Sequence, residues 1–308
     1  MVWCRCTLLS VMLLGCSTAE PPARRTLPVA TKEQGDVLKR ADRLFATGGK
    51  EFFAVVDEAG ADPATTKAMV MYLAWHMNEA ARLQRQRQQG TLPVRALDSN
   101  ARYVQARTAI ARLGPKAVPP VGEVLVEHRF SDSRWLGVEI LAAMGPEVLP
   151  TIEKSVDQRP EKFRRYYVEA VGRMAPTTEA ERLLLAWTGH SDFTVRAAAY
   201  VGLASHGAKH LAKLHAAVRS DPDRFVQRQV VKQLGAFRDK ETARVVIEFY
   251  SRSVVGNDRM GETEAERALV RISGREAARG RKVIRYGLAS WQEWYRNLPP
   301  GGAAERGR

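Results

Sequence analysis

Residues 191–207 read SDFTVRAAAYVGLASHG, and this segment has the pattern of one amphipathic helix. Asp192 stands where an N-cap is expected, because its short acidic side chain can accept hydrogen bonds from the first backbone N–H groups of a helix. Gly207 can supply the left-handed stop at the other end. Apolar or small residues stand four apart and share one face: Val195, Ala199 and Leu203. The segment therefore predicts a helix with one buried face.

Similar segments recur before and after it at steps of 30 to 32 residues, measured between helix corners. The corners are Gly114-Pro115, Gly145-Pro146, Ala175-Pro176, Gly207-Ala208 and Arg238-Asp239. Between two corners lie two helical segments, each with a thin apolar face, and such a unit cannot form a stable core alone. Neighbouring units must stack, so the sequence predicts an all-α fold, a right-handed α-solenoid of helical hairpins.

The best unit combines Asp192, Val195 and Arg196 with a run of small residues, and it resembles the D-x-x-V-R-x-x-A signature of the HEAT repeat family. The resemblance covers about residues 101–252 well. It implies that Asp192 and Arg196 are structural and bond between adjacent units. The next unit keeps its Asp and Val but has Gln227 where the signature has Arg, which puts the regular ladder in doubt there.

Residues 1–15 have the pattern of a secretory signal peptide. Arg5 precedes an apolar run that is shorter than the roughly 20 residues a membrane-spanning helix needs. The run ends in Leu13-Leu14-Gly15-Cys16, which resembles the lipobox of bacterial lipoproteins. The resemblance implies cleavage between Gly15 and Cys16 and a diacylglyceryl group on the Cys16 thiol. The alternative is a cytosolic protein with an apolar N-terminus.

All three cysteines, Cys4, Cys6 and Cys16, lie in this first segment, so no disulfide is expected in the folded body. Residues 16–30 are interpreted as the lipidated cysteine and a Pro-rich tether. Because two or more acyl chains hold a protein stably on a bilayer, we expect a cell-envelope location. The residue after Cys16 is Ser17 and not Asp, which resembles the default for outer-membrane sorting. If the bacterium has two membranes, the outer one is therefore expected over the inner.

The remaining organisation follows from helical periodicity. Residues 31–100 are predicted to form an N-terminal helical region, with helices over 31–47, 50–59 and 64–88 and a loop over 90–100. The repeat array spans 101–252, and a C-terminal helical cap spans 253–298. A disordered tail is predicted for 299–308. In the cap, Trp291, Trp294 and Tyr295 share one helix face and are interpreted as covering the last open apolar face, with a ligand-binding aromatic cage as the alternative.

No catalytic motif or cofactor fingerprint is apparent, so neither an enzyme activity nor a cofactor is expected. His206, His210 and His215 gather at one corner, but Gly207 and a helix boundary interrupt them, which disfavours a metal site. His76 and Glu79 lack a third ligand and are interpreted as structural. A chromophore lyase activity is supported only by analogy with some HEAT-like proteins.

The formal net charge is +14, with a pI near 10.0. Successive second helices of HEAT stacks commonly present a partner surface, and here we expect that strip to be mostly cationic: Lys154, Arg182, Lys213 and Arg244, with Lys116 and Glu153 beside them. The sequence therefore predicts a membrane-anchored, non-catalytic scaffold for a protein or anionic envelope partner. The alternative is a basic cytoplasmic protein or enzyme that acts on nucleic acid, which the lipobox disfavours.

Overall fold

The computed structural model describes residues 32–90, 99–127, 133–275, 278–279, 282–283 and 285–299. The predicted signal peptide, Cys16, the tether to residue 30 and the tail from residue 300 lie outside the described residues. Within the described ranges the chain forms fifteen α-helices and one antiparallel pair of two-residue strands, β1 (Ala278–Arg279) and β2 (Lys282–Val283).

The helices are α1 (Lys32–Phe45), α2 (Lys50–Ala59), α3 (Pro63–Gln88), α4 (Ser99–Arg112), α5 (Val118–Val126), α6 (Ser133–Ala143), α7 (Leu149–Val156), α8 (Glu161–Arg173), α9 (Thr178–Trp187), α10 (Phe193–Ser205), α11 (Leu211–Ser220), α12 (Arg224–Leu234), α13 (Lys240–Val255), α14 (Arg259–Ser273) and α15 (Gly287–Arg296). The three helices predicted before the loop correspond to α1, α2 and α3, with ends that differ by no more than two residues.

Successive hairpins stack in two layers. The first-helix layer consists of α4, α6, α8, α10, α12 and α14, each of which packs on the next. The second-helix layer consists of α5, α7, α9, α11 and α13, which pack on the first-helix layer. One continuous apolar core runs between the layers. The all-α solenoid predicted from the repeats is therefore confirmed.

Glycine corners connect the layers as the sequence predicts. Gly114, Gly145 and Gly207 have φ of 62°, 82° and 111°, the region that favours glycine because it has no Cβ. Each of these three corners is followed by, or begins, a short 3-10 turn that leads into the second helix. The three glycines therefore fix where the chain reverses between layers.

No single described helix is both long and apolar enough to cross a membrane. The segments Arg134–Ala143 and Pro146–Val156 pass the same length and composition test only as a pair, and they meet at 105°.

The helix α10 packs unusually close to α8. A Cβ added to Gly172 would lie 2.6 Å from the Cα of Gly202, so the two backbones touch with no side chain between them. The Ser205 hydroxyl donates to the Gly172 carbonyl at 2.6 Å and joins the same two helices. Small residues thus set the spacing between these two units.

A polar ladder connects the N-terminal ends of the first helices. Arg196 on α10 donates from Nε and Nη2 to the two carboxylate oxygens of Asp221, both at 3.0 Å. This pair is almost fully buried, with side chains 12% and 4% exposed. Arg228 on α12 also pairs with the next unit, since its Nη1 alone donates to Asp258, the N-cap of α14, at 3.2 Å.

The signature Asp192 has a different partner from the one that the resemblance implied. It caps its own helix by accepting from the Thr194 N–H at 2.8 Å, while the inter-unit bond of Arg196 goes to Asp221. Gln227, which replaces the signature Arg, donates to the Asp221 carbonyl at 2.6 Å, and the adjacent Arg228 makes the inter-unit ion pair. Val195 is fully buried in the core. The ladder therefore continues past Gln227 with a shift of one residue.

We expect Arg196→Met to lower the free energy of unfolding by about 3–5 kcal/mol, because it leaves the buried Asp221 carboxylate without its counterion. Arg182→Met is the matched control, since Arg182 pairs with Glu153 at a site where the two side chains are 50% and 44% exposed. Its cost should stay below about 1 kcal/mol. Urea denaturation at neutral pH measures both values, and equal losses would contradict the structural role of the ladder.

Gly172→Ala should destabilise the fold by about 1–3 kcal/mol, because its new methyl group must push α8 away from α10. Gly35→Ala provides the comparison: Gly35 lies within α1, and a Cβ there meets nothing within 4 Å. That change should be neutral or stabilising by up to about 1 kcal/mol, since Ala favours a helix over Gly. Thermal and urea unfolding of the two variants test the contact, and a Gly172→Ala variant as stable as the parent would exclude it.

Candidate binding groove

A groove of about 620 Å³ lies on the first-helix layer between α8, α10 and α12. Its floor is α10, which contributes Ala197, Ala198, Val201 and Gly202. The walls are side chains of α8 and α12, among them Glu169, Phe225 and Gln229. A concave surface with an apolar base and polar groups on its sides is the usual form of a binding site.

The groove exists because α10 has small residues where neighbouring first helices have large ones. Counted back from each helix corner, Trp135 on α6 corresponds to Ala197 on α10, and Tyr166 on α8 corresponds to Ala198. Trp135 stacks on Tyr103 of α4, with ring centroids 5.7 Å apart, and so covers the layer there. Ala197 and Ala198 of α10 place no such ring at these positions, and the space stays open.

The wall formed by α8 contains two half-buried charged side chains, Arg165 and Glu169. Arg165 donates from Nη2 to the Tyr166 hydroxyl at 2.8 Å, while its Nε is buried and has no hydrogen-bond partner in the described part of the chain. Burial raises the pKa of the Glu169 carboxyl, and the nearby guanidinium groups of Arg165 and Arg173 oppose that rise. A donor without a partner beside a half-buried carboxylate favours a ligand that brings its own hydrogen-bonding groups.

His206, the C-cap of α10, lies toward the end of the groove that Met174 and Pro176 also line. It is only 7% exposed, and neither ring nitrogen has a hydrogen-bond partner among the described residues. Burial lowers the pKa of His206, while Glu181 and the backbone of Met174 oppose that shift. The Met174 backbone lies near the imidazole but does not form a hydrogen bond with it. Buried polar atoms are usually paired, so this neutral imidazole offers a donor and an acceptor to an occupant.

The basic side chains that line the groove differ in whether they are paired with a carboxylate. Arg173 forms an ion pair with Glu139 of α6, which uses part of its charge. Lys232 on α12 is exposed and forms no ion pair within the described ranges. With Arg165 on the opposite wall, the groove therefore carries a positive potential above an apolar floor.

Two of the cations expected to form a strip on the second-helix layer, Arg182 and Arg244, are paired with carboxylates. Arg182 pairs with Glu153 and Glu179 at 3.1 and 2.7 Å. Arg244 pairs with Glu241 and Glu248 at 2.7 and 2.8 Å. Lys154 and Lys213 are exposed on α7 and α11, and Lys116 donates to the Gly60 carbonyl at 2.9 Å. The two arginines thus have carboxylate partners within the chain, whereas Lys154 and Lys213 form no ion pair within the described ranges.

The histidines of the corner have separate environments. His215 Nε2 lies 2.9 Å from the Thr242 hydroxyl of α13, whereas His210 lies 3.7 Å from Glu181. His76 packs against Phe45, Tyr72 and Trp75, and burial lowers its pKa to about 4. Glu79 accepts from Arg82. Within the described ranges no group of three His, Cys, Asp or Glu side chains has the arrangement of a metal site.

The C-terminal aromatics are held by residues of the same chain. Trp291 is fully buried and donates from Nε1 to Glu266 at 3.0 Å, and α15 packs on α13. The guanidinium of Arg275 lies 5.0 Å from the ring centroid of Trp291 and 5.9 Å from that of Trp294. Tyr295 receives Lys240 at 5.6 Å. The cation-binding faces of these rings are therefore already occupied by Arg275 and Lys240.

The repeat pattern does not predict the groove. In the sequence, the run Ala197 to Ala199 matches the small-residue part of the repeat signature. The signal that could have found the site is the difference between units: Trp135 and Tyr166 precede two alanines at the corresponding position of α10.

Comparison with known proteins supports the repeat interpretation. Residues 180–269 match the family model for HEAT repeats, a segment that begins in α9, ends in α14 and includes the floor and one wall of the groove. No curated protein and no solved structure matches the chain. Residues 180–269 are therefore similar to HEAT repeats, which form helical scaffolds for protein interaction.

Proposed function

We propose that this HEAT-repeat scaffold binds a segment of a protein partner in the groove between α8, α10 and α12. The observation that carries the proposal is the groove itself, where an apolar floor lies beside buried polar atoms that have no hydrogen-bond partner among the described residues, His206 Nδ1 and Nε2 and Arg165 Nε. A bound peptide supplies both kinds of contact at once, because its main chain hydrogen-bonds while its side chains cover the apolar floor.

The dimensions of the groove select a short segment. Along α8 the lining extends from Arg165 to Met174, which at a rise of 1.5 Å per residue is about 14 Å. An extended peptide of about four residues has that length. Its small or apolar side chains would lie on Ala198 and Val201, and an acidic side chain would lie near Lys232 or Arg165. The role we propose is binding without a chemical step.

We propose further that Cys16 is lipidated and holds the scaffold in the cell envelope, on the outer membrane where two membranes are present. The support is the sequence around the predicted cleavage site, Leu13-Leu14-Gly15-Cys16, and the confinement of all cysteines to the first sixteen residues. Two or more acyl chains would anchor the protein stably, whereas a single chain gives only reversible binding.

A groove-filling variant tests the binding site. Random linear peptides displayed on phage are selected on the native protein, and their affinities are then measured for Val201→Trp. We expect at least about a tenfold loss, about 1.4 kcal/mol, because the indole occupies the space above α10. Leu185→Trp is the control, since Leu185 is 41% exposed on α9, outside the groove.

Selected peptides should also contain acidic residues next to small apolar ones, and their binding should weaken with added salt. Circular dichroism must first show that both tryptophan variants are folded. If the peptides bind Val201→Trp as tightly as Leu185→Trp, the groove is not the site.

The lipid anchor is tested by the intact mass and the membrane fractionation of the native protein and a Cys16→Ala variant. We expect the native chain to begin at Cys16, to carry added acyl mass and to remain with the membrane fraction. The variant should lack the acyl mass and should no longer be held by it. A native chain that still begins at Met1 and is recovered as a soluble protein would overturn the anchor and the envelope location.

A further inference from the structure

The end of α13 and the start of α14 expose three apolar side chains, which we call the α13–α14 tip: Val254, Val255 and Met260. Val255 is 84% exposed and Met260 is 67% exposed, the two highest values for large apolar side chains in the described residues. Val254 is 41% exposed. Single exposed apolar residues are common, whereas several grouped at one helix junction are typical of an interaction surface.

The backbone of the tip is well defined by local bonds. Asn257 has φ of 52° and turns the chain between the two helices. Asp258 then caps α14 by accepting from the Gly261 N–H at 3.0 Å, and its own N–H donates to the Ser253 carbonyl at 2.8 Å. Asp258 also pairs with Arg228 of α12. These bonds hold the tip against α12 and keep Val255 and Met260 directed away from the core.

Arginines surround the apolar side chains. The guanidinium of Arg224 lies against Gly256, so that a Cβ built there would be 3.2 Å from its Nη2. Arg259 is exposed next to Met260, and Arg252 donates to the carbonyl of Val218 at 2.8 Å. Within the described ranges Arg224 and Arg259 have no carboxylate partner, and Arg252 is bound to carbonyl groups. The carboxylates of the tip are Asp258, which pairs with Arg228, and the half-buried Glu262.

We propose that the α13–α14 tip inserts Val254, Val255 and Met260 into the interface of an anionic bilayer, with Arg224 and Arg259 on lipid phosphates. Exposed apolar residues bordered by basic side chains are what such an interface selects, because the apolar groups enter the headgroup boundary while the guanidinium groups stay at the charged surface. This contact depends neither on the groove nor on Cys16. If Cys16 is lipidated, the tether raises the effective concentration of the tip at the bilayer, and the tip fixes which way the solenoid faces.

The test uses the lack of cysteine beyond residue 16. In the full chain Cys4, Cys6 and Cys16 are replaced by Ala, and Val255→Cys is labelled with an environment-sensitive nitrobenzoxadiazole dye. Vesicles of phosphatidylcholine with roughly a third phosphatidylglycerol are then added. We expect a blue shift and about a threefold or greater rise in emission. Both changes should be smaller with vesicles of pure phosphatidylcholine or at high salt. A label at Leu185→Cys on α9 serves as the control and should not change.

Because the label reports its own position, binding of the apolar N-terminus to the vesicles does not produce the signal. In the same background, Arg224→Gln with Arg259→Gln should weaken the lipid dependence by about tenfold or more, since each basic group contributes to attraction by anionic lipid. The proposal is overturned if the label at 255 does not respond to vesicles or if the label at 185 responds equally. A response to protein concentration alone would show that the tip binds a second copy of the chain, and that result also overturns it.

Discussion

A helical hairpin of this chain cannot bury its own apolar face, and the whole structure depends on that constraint. Val195 and Leu203 on α10 are fully buried only because α8 and α12 lie on either side of that helix. Each unit therefore supplies the solvent shield of the next, and the core is continuous along the stack. Stability is gained at interfaces between units, so the contacts that join them determine the shape of the surface.

The interface between α8 and α10 shows how packing creates a site. Gly172 and Gly202 bring the two backbones together, and the small residues of α10 keep its outer face low. The same choice leaves a groove whose polar atoms, above all those of His206, have no partner within the described ranges. Buried groups without hydrogen bonds cost free energy in the unbound fold. Such a cost is expected at a functional site, where a bound ligand hydrogen-bonds to these groups.

Charge is distributed by the same stacking. Much of the second-helix layer pairs its arginines with carboxylates one turn or one unit away, as Arg182 and Arg244 do, so the net charge of the chain does not describe that surface. Among the basic side chains that have no carboxylate partner within the described residues are Lys232 beside the groove and Arg224 near the tip, both on α12. One helix thus supplies basic groups to both surfaces that we propose as binding sites.

Local pattern was enough to predict the helices, the glycine corners and the all-α solenoid, because helical periodicity and turn residues act over a few positions. It also located the buried Val195 and the capping role open to Asp192. It could not pair Arg196 with Asp221, find the carboxylates that neutralise Arg182, or reveal a groove above Ala197 and Ala198. These features depend on which residues of separate units come together. The close packing of one hairpin on the next decides which residues become neighbours. These contacts exist only in the folded stack.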